Sequence, residues 1–227
     1  MLHTEDPTHQ GPYAPNSSVD RGSTVPSALP RPEMWLPQTM PYKIDPDVLH
    51  KVAKHVVGPP VEGGELISRA TELLADDYPD LIDPKPGRWV GSKAGGILGK
   101  VRFLYFSPRE YVVIFGSPTG TQGFSGRYKR VEIRKFLMAG QADSYDLESD
   151  EMLPMTLRPG EHTCLEKGHA GGLTIHSGSW HIEYGRGAVV TTLPFAMVDT
   201  LLVSLELESV RRSTVEFAKL LTRRFRR

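Results

Sequence analysis

The chain has 227 residues, enough for one sizeable domain with extensions, and its 27 Lys and Arg balance its 27 Asp and Glu, so no net charge points to nucleic acid. A single cysteine, Cys164, excludes an internal disulfide and a multi-cysteine zinc site. No apolar run reaches the roughly 18 residues of a bilayer span, and the N-terminus lacks a signal peptide's charged head and apolar core, so the expectation is a soluble chain or one that touches membranes from the side.

Residues 1 to about 40 are rich in proline, serine, threonine and glycine and read as a disordered extension, with Trp35-Leu36 as a docking point at its end. Order is expected from about residue 41. Asp45-Pro46 reads as an N-cap with proline at the first helical position. Val48, Leu49, Val52, Ala53, Val56 and Val57 follow at helical spacing, and Gly58-Pro59-Pro60 stops that helix. A second helix is predicted from about Glu65 to Ala75, with Leu66, Ile67, Ala70, Leu73 and Leu74 on one stripe. Both stripes read as core contacts.

From Trp89 to about Thr192 the texture changes to short strands with glycine-rich turns. The predicted strands are Val101–Phe106, Glu110–Phe115, Tyr128–Met138, His162–Glu166, Leu173–His176, Trp180–Tyr184 and Ala188–Thr192. Ser177-Gly178-Ser179 is read as a hairpin turn joining two of them. The fold class is therefore mainly β with flanking helices, a small barrel or jelly roll.

From about residue 197 the pattern is helical again. Val198, Leu201, Leu202 and Leu205 form one stripe, and Val210, Phe217, Leu221 and Phe225 form a second, out of phase, which predicts a bend near Glu206 to Ser209. The second stripe lies among Arg211, Arg212, Lys219, Arg223, Arg224, Arg226 and Arg227. It has two readings: an amphipathic surface for an anionic membrane, or packing on the barrel or a partner subunit.

Among groups that carry chemistry, the glycine-rich run Gly116 to Gly123 lacks the Gly-Lys-Ser/Thr ending of a phosphate loop and reads as a turn. His162, His169, His176 and His181 fall in one β region without His-x-His spacing, a weak metal signal. Carboxylates are the better lead. Read with period two, Trp180, Ile182 and Tyr184 share one strand face while His181 and Glu183 share the other. Glu183 is then either a buried acid that binds a cation or moves a proton, or an exposed one, free or paired with Arg186. Glu110 precedes an apolar wall of Tyr111, Val113 and Phe115. Glu132 lies between Arg130 and Arg134, as a second acid or as part of an exposed charge ladder. Two acids converging in an apolar cavity would have their pKa values pushed apart, leaving one protonated and one ionised.

Several segments together resemble the fungal sterol C-8 isomerases and the animal sigma-1 receptor. They are Gly95-Gly96-Ile97-Leu98-Gly99, Ser107-x-x-Glu110-Tyr111-Val112-x-x-Phe115-Gly116, Gly123-Phe124-Ser125-Gly126-Arg127-Tyr128, Trp180-x-x-Glu183-Tyr184-Gly185-Arg186-Gly187 and Thr192-Leu193-x-Phe195-Ala196-x-x-Asp199-Thr200. The resemblance implies a cupin-like β-barrel around a buried apolar ligand, closed by C-terminal helices lying against the endoplasmic reticulum membrane, and assembled as a trimer. It implies catalytic roles for Glu183 and Glu132. It also implies ligand contacts from Tyr111, Val113, Phe115, Glu110, Trp180 and Tyr184, Glu110 mainly as a hydrogen-bonding brace. The implied reaction moves a sterol double bond from C-8 to C-7, is redox-neutral, and calls for no metal or organic cofactor. The alternative it implies is a receptor-like protein that binds hydrophobic amines through Glu183 without turnover. A third reading is a barrel protein that binds another lipid or a metal.

The departures from the family pattern matter. A proline-rich polar extension stands where the family usually has a transmembrane helix. Lys135 stands where the receptor branch has an aspartate that braces the key glutamate, which points away from amine binding. Ile97 replaces an aromatic residue, and Tyr105 replaces a histidine.

Overall fold

The structure, a computed structural model, describes residues 41–57, 63–85, 87–151 and 153–225. The proline-rich segment 1–40, the Gly58-Pro59-Pro60 stop and the final two arginines lie outside the described residues.

Two helices open the described domain. Helix α1 (Pro46–Val56) starts where Asp45, in extended backbone, accepts the Asp47 N–H at 2.9 Å. It buries Leu49, Val52, Ala53 and Val56. Helix α2 (Gly63–Asp77) buries Leu66, Ile67, Ala70 and Leu74, so both apolar stripes are core contacts.

Ten strands follow: β1 (Val90–Ala94), β2 (Ile97–Phe106), β3 (Glu110–Ser117), β4 (Thr121–Phe124) and β5 (Val131–Ala139), then β6 (Ala142–Asp146), β7 (Met155–Leu157), β8 (His162–Leu165), β9 (Gly171–Ile175) and β10 (Ser179–Gly187). Their pairing is nested. β6 pairs β7, β5 pairs β8, β4 pairs β9 and β3 pairs β10, all antiparallel. This is one long hairpin rolled up on itself, the topology of a jelly roll. It yields a six-stranded sheet, β1-β2-β3-β10-β5-β8, and a four-stranded sheet, β4-β9-β6-β7. Among the described residues the ladders leave these as two sheets rather than a closed barrel.

The rolling explains two departures from the sequence reading. Ser177-Gly178-Ser179 does not close a hairpin: β9 belongs to the small sheet and β10 to the large one, so this turn carries the chain across from one sheet to the other. Ala188–Thr192 is not a strand either, because Val189–Thr192 coils into a 3₁₀ turn after the β10 glycines.

The large sheet is covered on both faces. Its outer face, with Val112, Ile114, Phe136, Ile182 and Tyr184, packs under α1 and α2. Its inner face, with Val101, Val113, Phe115 and Leu137, meets Ala142, Leu157, Leu173 and Ile175 of the small sheet.

The tail folds back over one end. Helix α3 (Leu193–Val198) runs into a π-helical turn at Asp199–Val203, and Leu205, at φ +52°, breaks the path before α4 (Leu207–Phe225). Two side chains clamp the turn to the β1–β2 hairpin. The Asp199 carboxylate accepts the Gly96 N–H at 2.8 Å, and the Thr200 hydroxyl donates to the Lys93 carbonyl at 2.6 Å. Phe217 of α4 lies 4.6 Å from both Phe103 and Phe106. The second tail stripe therefore packs on the sheet at Phe217 and Leu221 and is not the surface left for a membrane.

Candidate functional site

Between the two sheets, under α3 and α4, lies a cavity of about 170 Å³. Its walls are apolar: Val101, Phe103, Phe106, Val113, Phe115 and Ile133 from the large sheet, Leu173 and Ile175 from the small one, Leu193, Phe195 and Met197 from α3, and Phe217 from α4. Among the described residues, the only Lys, Arg, Asp or Glu side chains that line it are Lys135 and Glu183.

Strand register assembles the polar cluster. On β10, Glu183 lies opposite Val113 of β3 on one side and Lys135 of β5 on the other. His181 precedes it by two residues and so shares its face. The Tyr111 hydroxyl donates to Glu183 Oε1 at 2.9 Å. Lys135 Nζ is 3.5 Å from Oε2, and His181 Nε2 is 3.7 Å from the same oxygen, beyond hydrogen-bond reach. Tyr111 reaches Glu183 because its partner across the ladder is Gly185, where a Cβ would overlap the Tyr111 ring.

The electrostatics follow from these contacts. Burial raises the Glu183 pKa, but the Lys135 ammonium and the Tyr111 hydrogen bond outweigh it and hold the carboxyl at about 2. Glu183 is therefore ionised at neutral pH. Burial pushes the His181 imidazole pKa down, so it is neutral, and its Nε2 has no hydrogen-bond partner among the described residues. Burial and the nearby carboxylate raise the Tyr111 hydroxyl well above its ordinary value, and they act on Tyr128 in the same direction.

The structure brings Glu183, Tyr111, Val113 and Phe115 together at the cavity and moves the remaining predicted site residues elsewhere. Glu132 faces the opposite side of β5, where it accepts from Arg134 Nε at 2.7 Å and Arg186 Nη2 at 3.1 Å. The register makes this unavoidable: Lys135, three residues on, is the partner that shares a face with Glu183. The two-acid arrangement does not form, and Glu132 belongs to a charge ladder with Arg134 and Arg186.

Glu110 also faces away from the cavity. It is buried and accepts the Lys43 and Ile44 N–H groups at 2.8 and 3.3 Å and the Tyr184 hydroxyl at 3.1 Å, tying the segment before α1 to the sheet. Tyr184 packs in the same outer core, and Trp180 lies tilted against Trp89, their ring centroids 5.3 Å apart. Neither lines the cavity. The four histidines separate. His169 pairs with Asp146, His176 with Asp143, and His162 stacks on Phe136, while His181 alone of the four faces the cavity.

The sequence placed Lys135 near the site only through the family pattern, and His181 only as a weak metal candidate. The alternation of Lys135 with Ile133 and Leu137 marks it as a cation on a buried strand face, though not as the residue opposite Glu183.

A family profile described as "ERG2 and Sigma1 receptor like protein" matches residues 31–226. The chain belongs to this family. In the ERG2 and sigma-1 receptor family it is similar to the sigma non-opioid intracellular receptor 1 of Danio rerio, 33% identical over 161 residues that cover 70% of each chain. It is also similar to the protein erg2 homolog of Dictyostelium discoideum, 28% identical over 165 residues, 73% of this chain and 68% of that one. Among solved structures, KdgF from Halomonas sp. aligns with a TM-score of 0.38 at 14% identity, over 44% of this chain and 86% of its own. An RmlC-like cupin from Shewanella frigidimarina aligns with a TM-score of 0.35 at 15% identity, over 44% and 85%. The nested antiparallel pairing is itself the jelly-roll fold class expected from the sequence, as two sheets rather than a closed barrel.

Proposed function

We propose that this ERG2 and sigma-1 receptor family member binds an apolar, steroid-like molecule between its sheets and isomerises a ring double bond, C-8 to C-7 in a sterol. The observation that carries the reading is Glu183, an ionised carboxylate at the floor of an apolar, aromatic-walled cavity. Protonating an alkene creates a carbocation, which an anionic carboxylate and aromatic faces stabilise in a dry site. Loss of a proton from the neighbouring carbon then completes the shift, with no change in oxidation state. Glu183, held ionised, suits the roles of counter-anion and base.

The entering proton needs another donor, and Lys135 is the charged donor that lines the cavity. Once Lys135 has given up that proton, the pair carries a net negative charge, so the lysine does not oppose the cation its own proton created. Proton return to Lys135 closes the cycle.

The test is expression in yeast cells that lack sterol C-8 isomerisation. The wild-type chain restores the C-7 double bond in the sterol profile, and Glu183→Gln, expressed at the same level, does not. An unchanged profile with folded wild-type protein overturns the reading.

The second reading is a ligand-binding protein without turnover, favoured by the 33% identity to a sigma receptor and by the presence of one carboxylate at the site. It predicts ligand binding that depends on Glu183 and no isomerised product. In either case we place the protein at the endoplasmic reticulum surface as a trimer, as its family suggests. No described helix is long and apolar enough to cross a membrane, and the exposed Leu202, Val203, Leu205 and Leu207 supply the contact.

A further inference from the structure

We infer that Lys135 sets the charge of the cavity and makes it selective for uncharged apolar molecules over protonated amines. The inference rests on the reading of the cavity as a ligand site and specifies the ligand class that the site takes.

Few charged groups face the cavity, and they cancel. From β10 come the Glu183 carboxylate and the His181 imidazole, from β3 the Tyr111 hydroxyl, from β5 the Lys135 ammonium, and from the segment before β5 the Tyr128 hydroxyl. Helices α3 and α4 contribute apolar groups and the Ser213 hydroxyl, with no charged side chain among the described residues. Tyr111 and Tyr128 are neutral, because burial raises both phenols. His181 is neutral, because burial lowers its imidazole. One positive and one negative charge remain, 3.5 Å apart, and they compensate each other.

A ligand ammonium that approached Glu183 would have to share its carboxylate with Lys135, whose Nζ is already at ion-pair distance from Oε2. The two cations would then repel each other where surrounding apolar side chains screen them poorly. Turning Lys135 away, into the neighbouring cavity of about 200 Å³ that Asp146 and Glu151 line, would free Glu183 for the amine only by giving up the Glu183–Lys135 ion pair. A ligand carboxylate meets the converse obstacle in Glu183. An uncharged molecule meets neither, and it leaves the Glu183–Lys135 pair intact.

The same geometry says what removes the barrier. With an apolar side chain at position 135, Glu183 keeps the Tyr111 hydrogen bond but loses its compensating cation. The cavity then holds one net negative charge at its floor, a site for a cation.

The experiment uses the full chain and two matched probes: a hydrophobic tertiary arylalkylamine, and its isosteric analogue with CH in place of the nitrogen. Affinities are measured by titration calorimetry at pH 7 for wild type, Lys135→Met, Lys135→Arg and the Lys135→Met/Glu183→Gln double variant. Thermal melts show that each variant is folded, and Lys135→Gln replaces Lys135→Met if the latter does not fold. The expected result is that Lys135→Met raises amine affinity at least tenfold and changes the neutral probe by less than threefold. Lys135→Arg keeps the wild-type ratio, and the double variant loses the gain. An amine-to-neutral ratio that is unchanged in Lys135→Met, or that rises equally in the double variant, overturns the inference and leaves the cavity reading standing. Failure of the wild-type chain to bind either probe removes the cavity reading and this inference with it.

Discussion

Taking a carboxylate out of water costs several kcal/mol unless charges and hydrogen bonds inside the protein replace the lost hydration. Glu183 has that replacement in Tyr111 and Lys135, and this has a consequence for stability. Its pKa is about 2 in the folded chain, against about 4.3 for an unperturbed glutamate. The folded state therefore binds the proton more weakly than the unfolded one, and the stabilisation is complete above the unfolded value. It is lost as pH falls through about 4 toward 2. Melting temperature measured from pH 6 to pH 2 should drop more steeply for wild type than for Glu183→Gln, which has no proton to gain there. Parallel curves would show that Glu183 is not held ionised by its neighbours. Glu110 makes a different prediction, because its three accepted hydrogen bonds join the chain before α1 to β10. Glu110→Ala leaves those donors unpaired and should destabilise the fold by about 3 kcal/mol in urea denaturation. Ligand affinity of the protein that remains folded should not change.

At the scale of the strand, the site depends on a glycine. Gly185 leaves space for the Tyr111 ring to cross β10 and reach Glu183. Gly185→Ala should displace the ring, weaken ligand binding and cost about 1–2 kcal/mol of stability, mainly through the lost hydrogen bond. Tyr111→Phe should have a similar effect, and the two together should cost little more than either alone, as expected of residues that act through one contact. Additive losses would separate Gly185 from the site. How legible these elements were in the sequence follows from their exposure. β3, β5 and β10 showed as strands because they are long and apolar. β4, β6 and β7 did not, because runs such as Thr-Gln-Gly-Phe and Ala-Asp-Ser-Tyr-Asp are short, glycine-bearing or polar. Most of the small sheet was therefore invisible. The misplacement of Glu132 has a related cause. Both faces of β5 are covered, by Phe136 and Met138 on one side and Ile133 and Leu137 on the other. Apolar alternation cannot say which parity meets Glu183. Only the pairing of Glu183 with Lys135 decides that, and register between strands far apart in sequence leaves no mark in either strand alone.

At the scale of the whole molecule, the tail links the cavity to whatever lies outside. α3 lines the cavity with Leu193, Phe195 and Met197, and the turn that follows presents Leu202 and Leu205 at 66% and 76% exposure. The cavity, at about 170 Å³, is smaller than the roughly 300–1,000 Å³ of sites for drug-sized ligands. A ring system would therefore enter by displacing this cap, and the exposed leucines are the part of the cap that can gain from contact with lipid. Each leucine side chain moved from water into an apolar phase contributes about 2 kcal/mol, so Leu202 and Leu205 supply about half of the contact they share with Val203 and Leu207. Flotation with vesicles of phosphatidylcholine and phosphatidylserine should recover wild-type protein, and Leu202→Asp with Leu205→Asp should reduce the bound fraction at least tenfold. Added salt should have the smaller effect, because Arg211 and Arg212 are already paired with Glu208. If the double variant floats like wild type but changes its oligomeric state, those leucines are covered by another copy of the chain, and ligand reaches the cavity by a route that does not involve lipid.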